Sequence, residues 1–309
     1  MSGMPLSPFL FIIVMTLLMH DARELLSPSA QDALSKGELS DILYADDTLI
    51  LGKRSKDVEE YTSAVERAGA TYGMKLHWGK TQALCVGNAH SLKKPDGSLL
   101  DNVEPLQYLG AVLCRHGRVG SEISRKLGTA RADFNQLQRV WSHSDVPLQD
   151  KLKYFAAYIL SKLRYSLATI WLVTAQRRRV DGFVARCLRR ILRIPAAFVS
   201  RVSNATVLAR AGLKPFSQQV LVHQLHLLRK AALAEPEHPL RKDCFYGSTL
   251  SPQIGTFIRR VGRPRQEWTS QLLREGQQHF GDAHFQTLLS DRTEGAEKRW
   301  KAEVEKIFA

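Results

Sequence analysis

Ile42-Leu43-Tyr44-Ala45-Asp46-Asp47-Thr48-Leu49-Ile50-Leu51 sets two adjacent carboxylates inside an apolar, strand-like run. Ile42 and Leu43 before the pair, and Leu49, Ile50 and Leu51 after it, read as buried strand, and Gly52 breaks the run. Asp is depleted in strands, and an unpaired buried charge is costly. A tight hairpin resolves the conflict by placing both carboxylates at its tip, where a divalent cation neutralises them. Mg²⁺ takes carboxylate oxygens and substrate phosphates, and a two-metal site stabilises the attacking and leaving oxygens of phosphoryl transfer. Composition alone leaves a second reading open: a polar turn between two short strands.

The chain of 309 residues has a globular composition, 44% hydrophobic, with room for one large or two modest cores. Its formal net charge of +14 is unevenly spread. Residues 1–114 hold 10 Lys/Arg against 14 Asp/Glu, and the remaining 34 Lys/Arg face 16 Asp/Glu in residues 115–309. An acidic front half followed by a strongly basic back half suits a metal site followed by a region that holds nucleic acid. A soluble basic surface with no specific partner is the plainer alternative. Cys85, Cys114, Cys187 and Cys244 are too scattered for a zinc motif or a dense disulfide framework, so reduced thiols are expected. The apolar run Phe9 to Met19 resembles the core of a signal peptide, but no Lys or Arg precedes it and it is too short to span a bilayer. A buried helix is the expected structure, and cleavage of Met1 to Met19 would mark a targeting segment instead.

Outward from the carboxylates, Gly3-Met4-Pro5-Leu6-Ser7-Pro8-Phe9-Leu10-Phe11 predicts a turn, then a Pro-started helix to about Leu26. Ser27 to Ser40 reads as a loop, and Val58 to Tyr72 as a helix stopped by Gly73. Gly73-Met74-Lys75-Leu76-His77-Trp78-Gly79-Lys80-Thr81 follows, then an expected strand from Thr81 to Val86, and a short Gly-ended segment Leu106-Gln107-Tyr108-Leu109-Gly110. These motifs, in this order, resemble reverse transcriptases, most closely those of non-LTR (LINE-type) retrotransposons. Tyr44-Ala45-Asp46-Asp47 is similar to that family's catalytic hairpin. Gly3, Pro5, Leu6, Ser7, Pro8, Leu10 and Phe11 fit a segment that lies under template–primer and incoming nucleotide, with Ser2 in place of the usual Gln. Gly73, Leu76, Lys80 and Thr81 fit a later motif in which His77 replaces Asn.

The resemblance implies roles. Asp46 and Asp47 would hold Mg²⁺ (or Mn²⁺), and Lys80 would offset charge on the departing pyrophosphate. Gly3, Pro5, Ser7 and Tyr44 would line the nucleotide and template, and Tyr108, Leu109 and Gly110 would form a primer grip. RNA template, DNA primer and product, and deoxynucleoside triphosphates would be the partners, inside the cell, in the nucleus with a cytoplasmic phase, and with no membrane. The family also uses a further Asp upstream of the Gly-x-Pro-Leu-Ser-Pro segment, where this chain starts; Asp21, Asp32 and Asp41 do not match its place. The expectation is a late-palm, thumb and extension fragment, lacking fingers and first catalytic Asp, that binds nucleic acid but polymerises weakly or not at all unless an intact polymerase acts in trans. A non-catalytic basic nucleic-acid-binding protein of the same fold is the alternative.

The back half reads as helical. Ile123, Leu127, Ala130, Phe134, Leu137 and Val140 form an apolar stripe, with Arg125, Lys126, Arg131 and Arg139 off it. Val146-Pro147-Leu148 breaks it, and a second helix is expected from Leu148 to Trp171. Arg177 to Ile194 is a basic amphipathic helix, with Val180, Phe183, Val184, Cys187, Leu188, Ile191 and Leu192 on one side and Arg186, Arg189, Arg190 and Arg193 among its cations. Such arginines suit bidentate, sequence-independent phosphate contact, and a solvated helix face is the plainer reading. His223 and His226 have no acidic or cysteine companion and read as core or surface histidines. Arg263 and Arg265 flank Pro264 after Gly262 in a segment that resembles an AT-hook arm. The expected fold is α+β and mostly helical: a partial palm with a small antiparallel sheet over 1–118, a thumb-like helical region over 119–195 and a basic helical extension over 196–309.

Overall fold

The computed structural model describes residues 6–86, 91–115, 117, 119–253 and 267–307. Gly3, Pro5, Arg263 and Arg265 lie outside the described residues. The fold is mostly helical with two small antiparallel two-stranded sheets, an α+β architecture. It divides into two compact units, Met1–Arg118 and Val119–Ala309.

In the first unit the order is α1 (Ser7–Glu24), α2 (Pro28–Ser35), β1 (Leu39–Tyr44), β2 (Asp47–Gly52), α3 (Ser55–Thr71), β3 (Leu106–Tyr108) and β4 (Ala111–Leu113). The expected loop at Ser27–Ser40 is instead largely α2. Ser27 caps it by accepting a hydrogen bond from the Ala30 amide, and Pro28 supplies a preset φ at the first turn. The expected strand at Thr81–Val86 reduces to a single bridge, Ala83 to Asn102. The core joins Leu18, Met19 and Ala22 of α1 to Tyr61, Ala64, Val65 and Ala68 of α3, with Ala30, Ala33 and Leu39 beneath. Alanines on the facing helices let the backbones approach closely. Gly52 is required where β2 meets α3, because a Cβ there would run into the Val58 side chain.

Helix α1 is apolar on two opposite sides. Leu18, Met19, Ala22 and Leu26 enter the core, while Leu6, Phe9, Leu10, Ile13 and Leu17 form an exposed stripe at helical spacing. Among the described residues no helix is long and apolar enough to cross a membrane.

The second unit holds α4 (Gly120–Gln136), α5 (Gln138–Ser142), α6 (Leu148–Tyr154), a π-helical turn (Phe155–Leu160), α7 (Ser161–Arg164), a 3₁₀ turn (Leu167–Thr169), α8 (Thr174–Ile191), α9 (Ala197–Ser200), α10 (Asn204–Arg210), α11 (Phe216–Leu233), α12 (Pro239–Cys244), α13 (Trp268–Phe280), α14 (Asp282–Ser290) and α15 (Ala296–Lys306). The expected single helix from Leu148 to Trp171 is broken at Ser166, which takes φ +69°. Helix α8 starts three residues before Arg177 and ends at Ile191, ahead of Pro195. Arg193 adopts φ +55°, the Ile194 amide donates to Arg189 O at 2.8 Å and the Arg193 amide to Arg190 O at 3.3 Å. This paired αL closure ends the helix without help from proline.

Two apolar clusters fill this unit. One is built on α4, the π-turn, α8 and α10, around Phe134, Trp141, Phe155 and Leu188. The other joins α11 to α13, α14 and α15 around Leu228, Phe285 and Trp300. Helix α11 belongs to both: Phe216 and Val220 enter the first, and Leu221, Leu225 and Leu228 the second.

Candidate metal hairpin and nucleic-acid interface

Strands β1 and β2 pair in register, with Tyr44 opposite Asp47, Ile42 opposite Leu49 and Asp41 opposite Ile50. The connection is two residues, Ala45 and Asp46, so the hairpin turns at the carboxylates as the sequence requires. Ala45 takes φ +53°, a left-handed conformation that costs an L-residue about 1–2 kcal/mol. Alternation sorts the side chains. Leu39, Asp41, Leu43, Thr48 and Ile50 share one face; Ile42, Tyr44, Asp47 and Leu49 share the other. Asp46 and Asp47 are both exposed, and among the described residues neither forms an ion pair with a lysine or arginine.

The other aspartates of the first unit are committed elsewhere. Asp41 is 5% exposed at its side chain; it accepts from Arg23 Nη2 at 2.9 Å and from Tyr61 Oη at 2.7 Å. Burial first, and then donation to Asp41, pushes the Tyr61 phenol up to about 12. Asp21 accepts from Tyr72 Oη, and Asp32 pairs with Lys36. Among the described residues the one cluster of three metal-capable side chains is His20, Asp21 and Glu24, partly exposed on α1, and it includes neither Asp46 nor Asp47.

The second hairpin turns at Leu109 and Gly110, with φ +46° and +73°, and Tyr108 lies opposite Ala111. Positive φ at both turn positions explains the Gly that ends the segment. Tyr108 Oη donates to Ile42 O at 3.4 Å. Partial burial, and after it the charge of Asp47, raises the Tyr108 phenol above its usual value. The structure therefore brings Tyr108 beside the Asp46–Asp47 hairpin. Tyr44 is exposed on the same face as Asp47, and Ser7 is exposed at the start of α1. Lys80 closes a turn through its amide to His77 O at 2.8 Å, with its side chain exposed. Among the described residues no ion pair joins it to either aspartate.

In the second unit the predicted phosphate contacts separate into two groups. Arg125 is tied to the buried Glu122 by Nε at 2.9 Å and Nη2 at 3.0 Å, and Glu122 also accepts from Ser166 Oγ. Lys126 is buried, its ammonium 4.8 Å from the Tyr165 ring centroid, and burial lowers its pKa. Arg189 is buried too, bonded to Pro195 O, Val202 O and Asn204 Oδ1 at 3.2, 2.6 and 3.1 Å. Lys126 and Arg189 are buried and hold the fold, and Arg125, half-buried, is committed to Glu122.

Arg131, Arg186, Arg190 and Arg193 are exposed. Arg179, Arg186 and Arg190 fall on one face of α8, and the first and last reach α4, at Ser124 Oγ (3.0 Å) and Asn135 Oδ1 (3.1 Å). Arg131 joins them from α4: its charge, with those of Arg186 and Arg190, reaches the buried Cys187. Burial still dominates and pushes that thiol up to about 12. Arg193 continues the row, donating to Ser142 O at 3.2 Å. From Arg179 to Arg190 the row runs roughly 16 Å at 1.5 Å per residue, against one phosphate per ~3.4 Å of strand.

Residues 2–113 match the model of the reverse transcriptase (RNA-dependent DNA polymerase) family. That stretch takes in both hairpins, the Lys80 turn and α1, so the reverse transcriptase likeness coincides with the first unit. With it come divalent-metal chemistry and nucleic-acid substrates as properties of that family. A transposon-derived protein of Caenorhabditis elegans is 24% identical over 267 residues, covering 83% of this chain and 93% of that protein. That second likeness therefore extends through the helical unit as well. No solved structure matches.

His223 and His226 are not placed as a metal pair. His223 Nε2 lies 2.7 Å from Arg164 Nη1, and His226 Nδ1 accepts from Trp300 Nε1 at 2.8 Å. Sequence reasoning passed over Tyr154 and Tyr158, which the helical repeat Lys151-x-Lys153-Tyr154-x-x-x-Tyr158-x-x-x-Lys162 could have flagged as aromatics interleaved with cations.

Proposed function

We propose that this chain is the late-palm, thumb and extension portion of an RNA-directed DNA polymerase from a LINE-type retrotransposon, acting on RNA template and DNA primer inside the cell, with a nuclear phase. The observation that carries it is the Asp46–Asp47 hairpin tip, solvent-facing and beside Tyr108, within the reverse transcriptase match. The donor set suits a hard divalent cation: two adjacent carboxylates with no competing ammonium or guanidinium among the described residues, leaving coordination positions for water and substrate phosphates. Mg²⁺ or Mn²⁺ bound there supplies electrostatic stabilisation of the attacking and leaving oxygens. Asp46 and Asp47 provide the ligand oxygens, Tyr108 and the Leu109–Gly110 turn bear on the primer end, and Lys80 offsets charge on the leaving pyrophosphate. Arg131, Arg186, Arg190 and Arg193 hold backbone phosphates without reading bases.

Asp21, Asp32 and Asp41 are engaged elsewhere, so the hairpin pair carries the metal-holding role in this reading. Any extension by this polypeptide is expected to depend on Asp46 and Asp47. Primer extension on an RNA template with Mg²⁺ tests this, comparing the chain with its Asp46→Asn, Asp47→Asn variant. Extension that disappears in the variant supports the polymerase reading. Absence of extension by either, with salt-sensitive primer–template binding retained, favours the second reading, a nucleic-acid-binding protein of this fold, for which the exposed arginine row speaks.

A further inference from the structure

The first apolar cluster of the helical unit is open at one corner. Leu137, Val140, Val146, Tyr154 and Tyr158 line a pocket of about 400 Å³, in the range that accepts small organic groups. Tyr154 and Tyr158 are 58% and 40% exposed although their rings border the core. Tyr158 lies within the π-helical turn, a distortion frequent at functional positions. The Lys162 ammonium sits 3.9 Å from its ring centroid, covering one face of the ring while pairing with Asp133.

A second cavity, of about 290 Å³, shares Val146 with the first and is lined by Leu148, Lys151, Ile191 and Arg193. Arg193 lies two residues beyond α8, just past the Arg179–Arg186–Arg190 row. A cationic track thus runs into a cavity that adjoins an aromatic pocket. Cations that track a strand, leading to aromatic rings on which bases stack, are what single-stranded nucleic acid requires. An apolar peptide or lipid chain would fill the pocket without needing the arginines.

Resting on the reading of the α8 row as a phosphate track, we infer that the Tyr154–Tyr158 pocket receives an unpaired nucleobase from a strand whose phosphates follow Arg186, Arg190 and Arg193. Three aliphatic side chains and two tyrosine rings line it, with no charged group, so stacking dominates, the pocket takes any base and it distinguishes unpaired from paired nucleotides.

The test uses the full chain and three fluorescent DNA duplexes read by anisotropy. One is blunt, one carries a two-nucleotide single-stranded overhang, and one carries the same overhang with abasic sugars, matching its charge. The based overhang should bind roughly 5- to 100-fold more tightly than the abasic one, the range expected for stacking. Tyr154→Ala, Tyr158→Ala should erase that difference, and Tyr158→Phe, which keeps the ring, should preserve it. Equal affinity of the wild-type chain for based and abasic overhangs overturns the pocket assignment, leaves the arginine row as a phosphate track and assigns the pocket to an apolar protein segment. Absence of salt-sensitive binding to all three duplexes overturns the track itself, and the pocket assignment with it. The wild-type comparison decides even where the double alanine variant fails to fold.

Discussion

Arg186 and Arg189 are three residues apart on the same basic helix, and the structure gives them opposite tasks. Arg189 is 6% exposed and commits its guanidinium to Pro195 O, Val202 O and Asn204 Oδ1, tying the segment after α8 to the helix. Arg189→Met keeps an apolar stem and removes these three bonds together with a longer one to Ser200 Oγ at 3.4 Å. Hydrogen bonds from a charged donor contribute about 1.5–3 kcal/mol each when buried. Pro195 and Asn204 are exposed, so water replaces part of what the substitution removes, and about 1–1.5 kcal/mol per bond is the fitting value. The sum over the three shorter bonds, about 3–4.5 kcal/mol, corresponds to a fall of roughly 6–18 °C in Tm for a unit of this size. Arg186→Ala, at an exposed position, should stay within about 0.5 kcal/mol of wild type. Its effect belongs to binding: with one fewer phosphate neutralised, the slope of log K against log salt should fall by about 0.9 on duplex DNA. Thermal unfolding and a salt titration of duplex binding by anisotropy measure the two quantities. An Arg189→Met protein of unchanged Tm whose salt slope falls as that of Arg186→Ala does would refute the division of labour.

Three further outcomes rest on single side chains. The Tyr61 phenol, at about 12 in the fold against 10 when unfolded, stabilises its unit fully below pH 10 and loses that contribution as pH rises from 10 to 12; Tyr61→Phe should flatten this alkaline limb in pH-dependent unfolding. Gly276→Ala should destabilise by about 1–3 kcal/mol in urea unfolding despite alanine's better helix propensity, because its methyl group would overlap the buried, stacked Phe285 ring. Cys187 should resist maleimide labelling at pH 8 in the native protein and react on unfolding, as burial holds its thiol protonated; rapid native labelling would contradict the α4–α8 packing.

The local grammar of this chain was legible without coordinates. Two carboxylates in an apolar run demanded a hairpin tip, because no strand interior tolerates them unpaired. Glycine after Tyr108 and Leu109 signalled the second turn. The apolar stripes of α4 and α8 follow 3.6-residue spacing and are largely buried, but Glu122, Lys126 and Arg189 are buried beside them, which spacing did not announce. The α2 cap was legible too, in Ser27-Pro28, but was outweighed by the polar composition around it.

Tertiary structure alone decided the rest, because it depends on what lies opposite each side chain. Spacing makes Arg186 and Arg189 alike; only the folding back of residues 195–204 over α8 surrounds one with carbonyl oxygens and leaves the other in water. Asp41 and Asp47 share a hairpin, yet register turns one toward Arg23 and Tyr61 and the other toward Tyr108. The Lys/Tyr repeat marks Tyr154 and Tyr158 but not the pocket, whose walls come from Leu137 between α4 and α5, Val140 of α5, the Val146 turn, α6 and a π-turn that no residue type announces. The sequence settled where the chain must turn; the fold decided burial, leaving Ile42, Leu43, Leu51 and much of the Phe9–Met19 run exposed where buried strand and helix were expected, and burying Lys126 and Arg189.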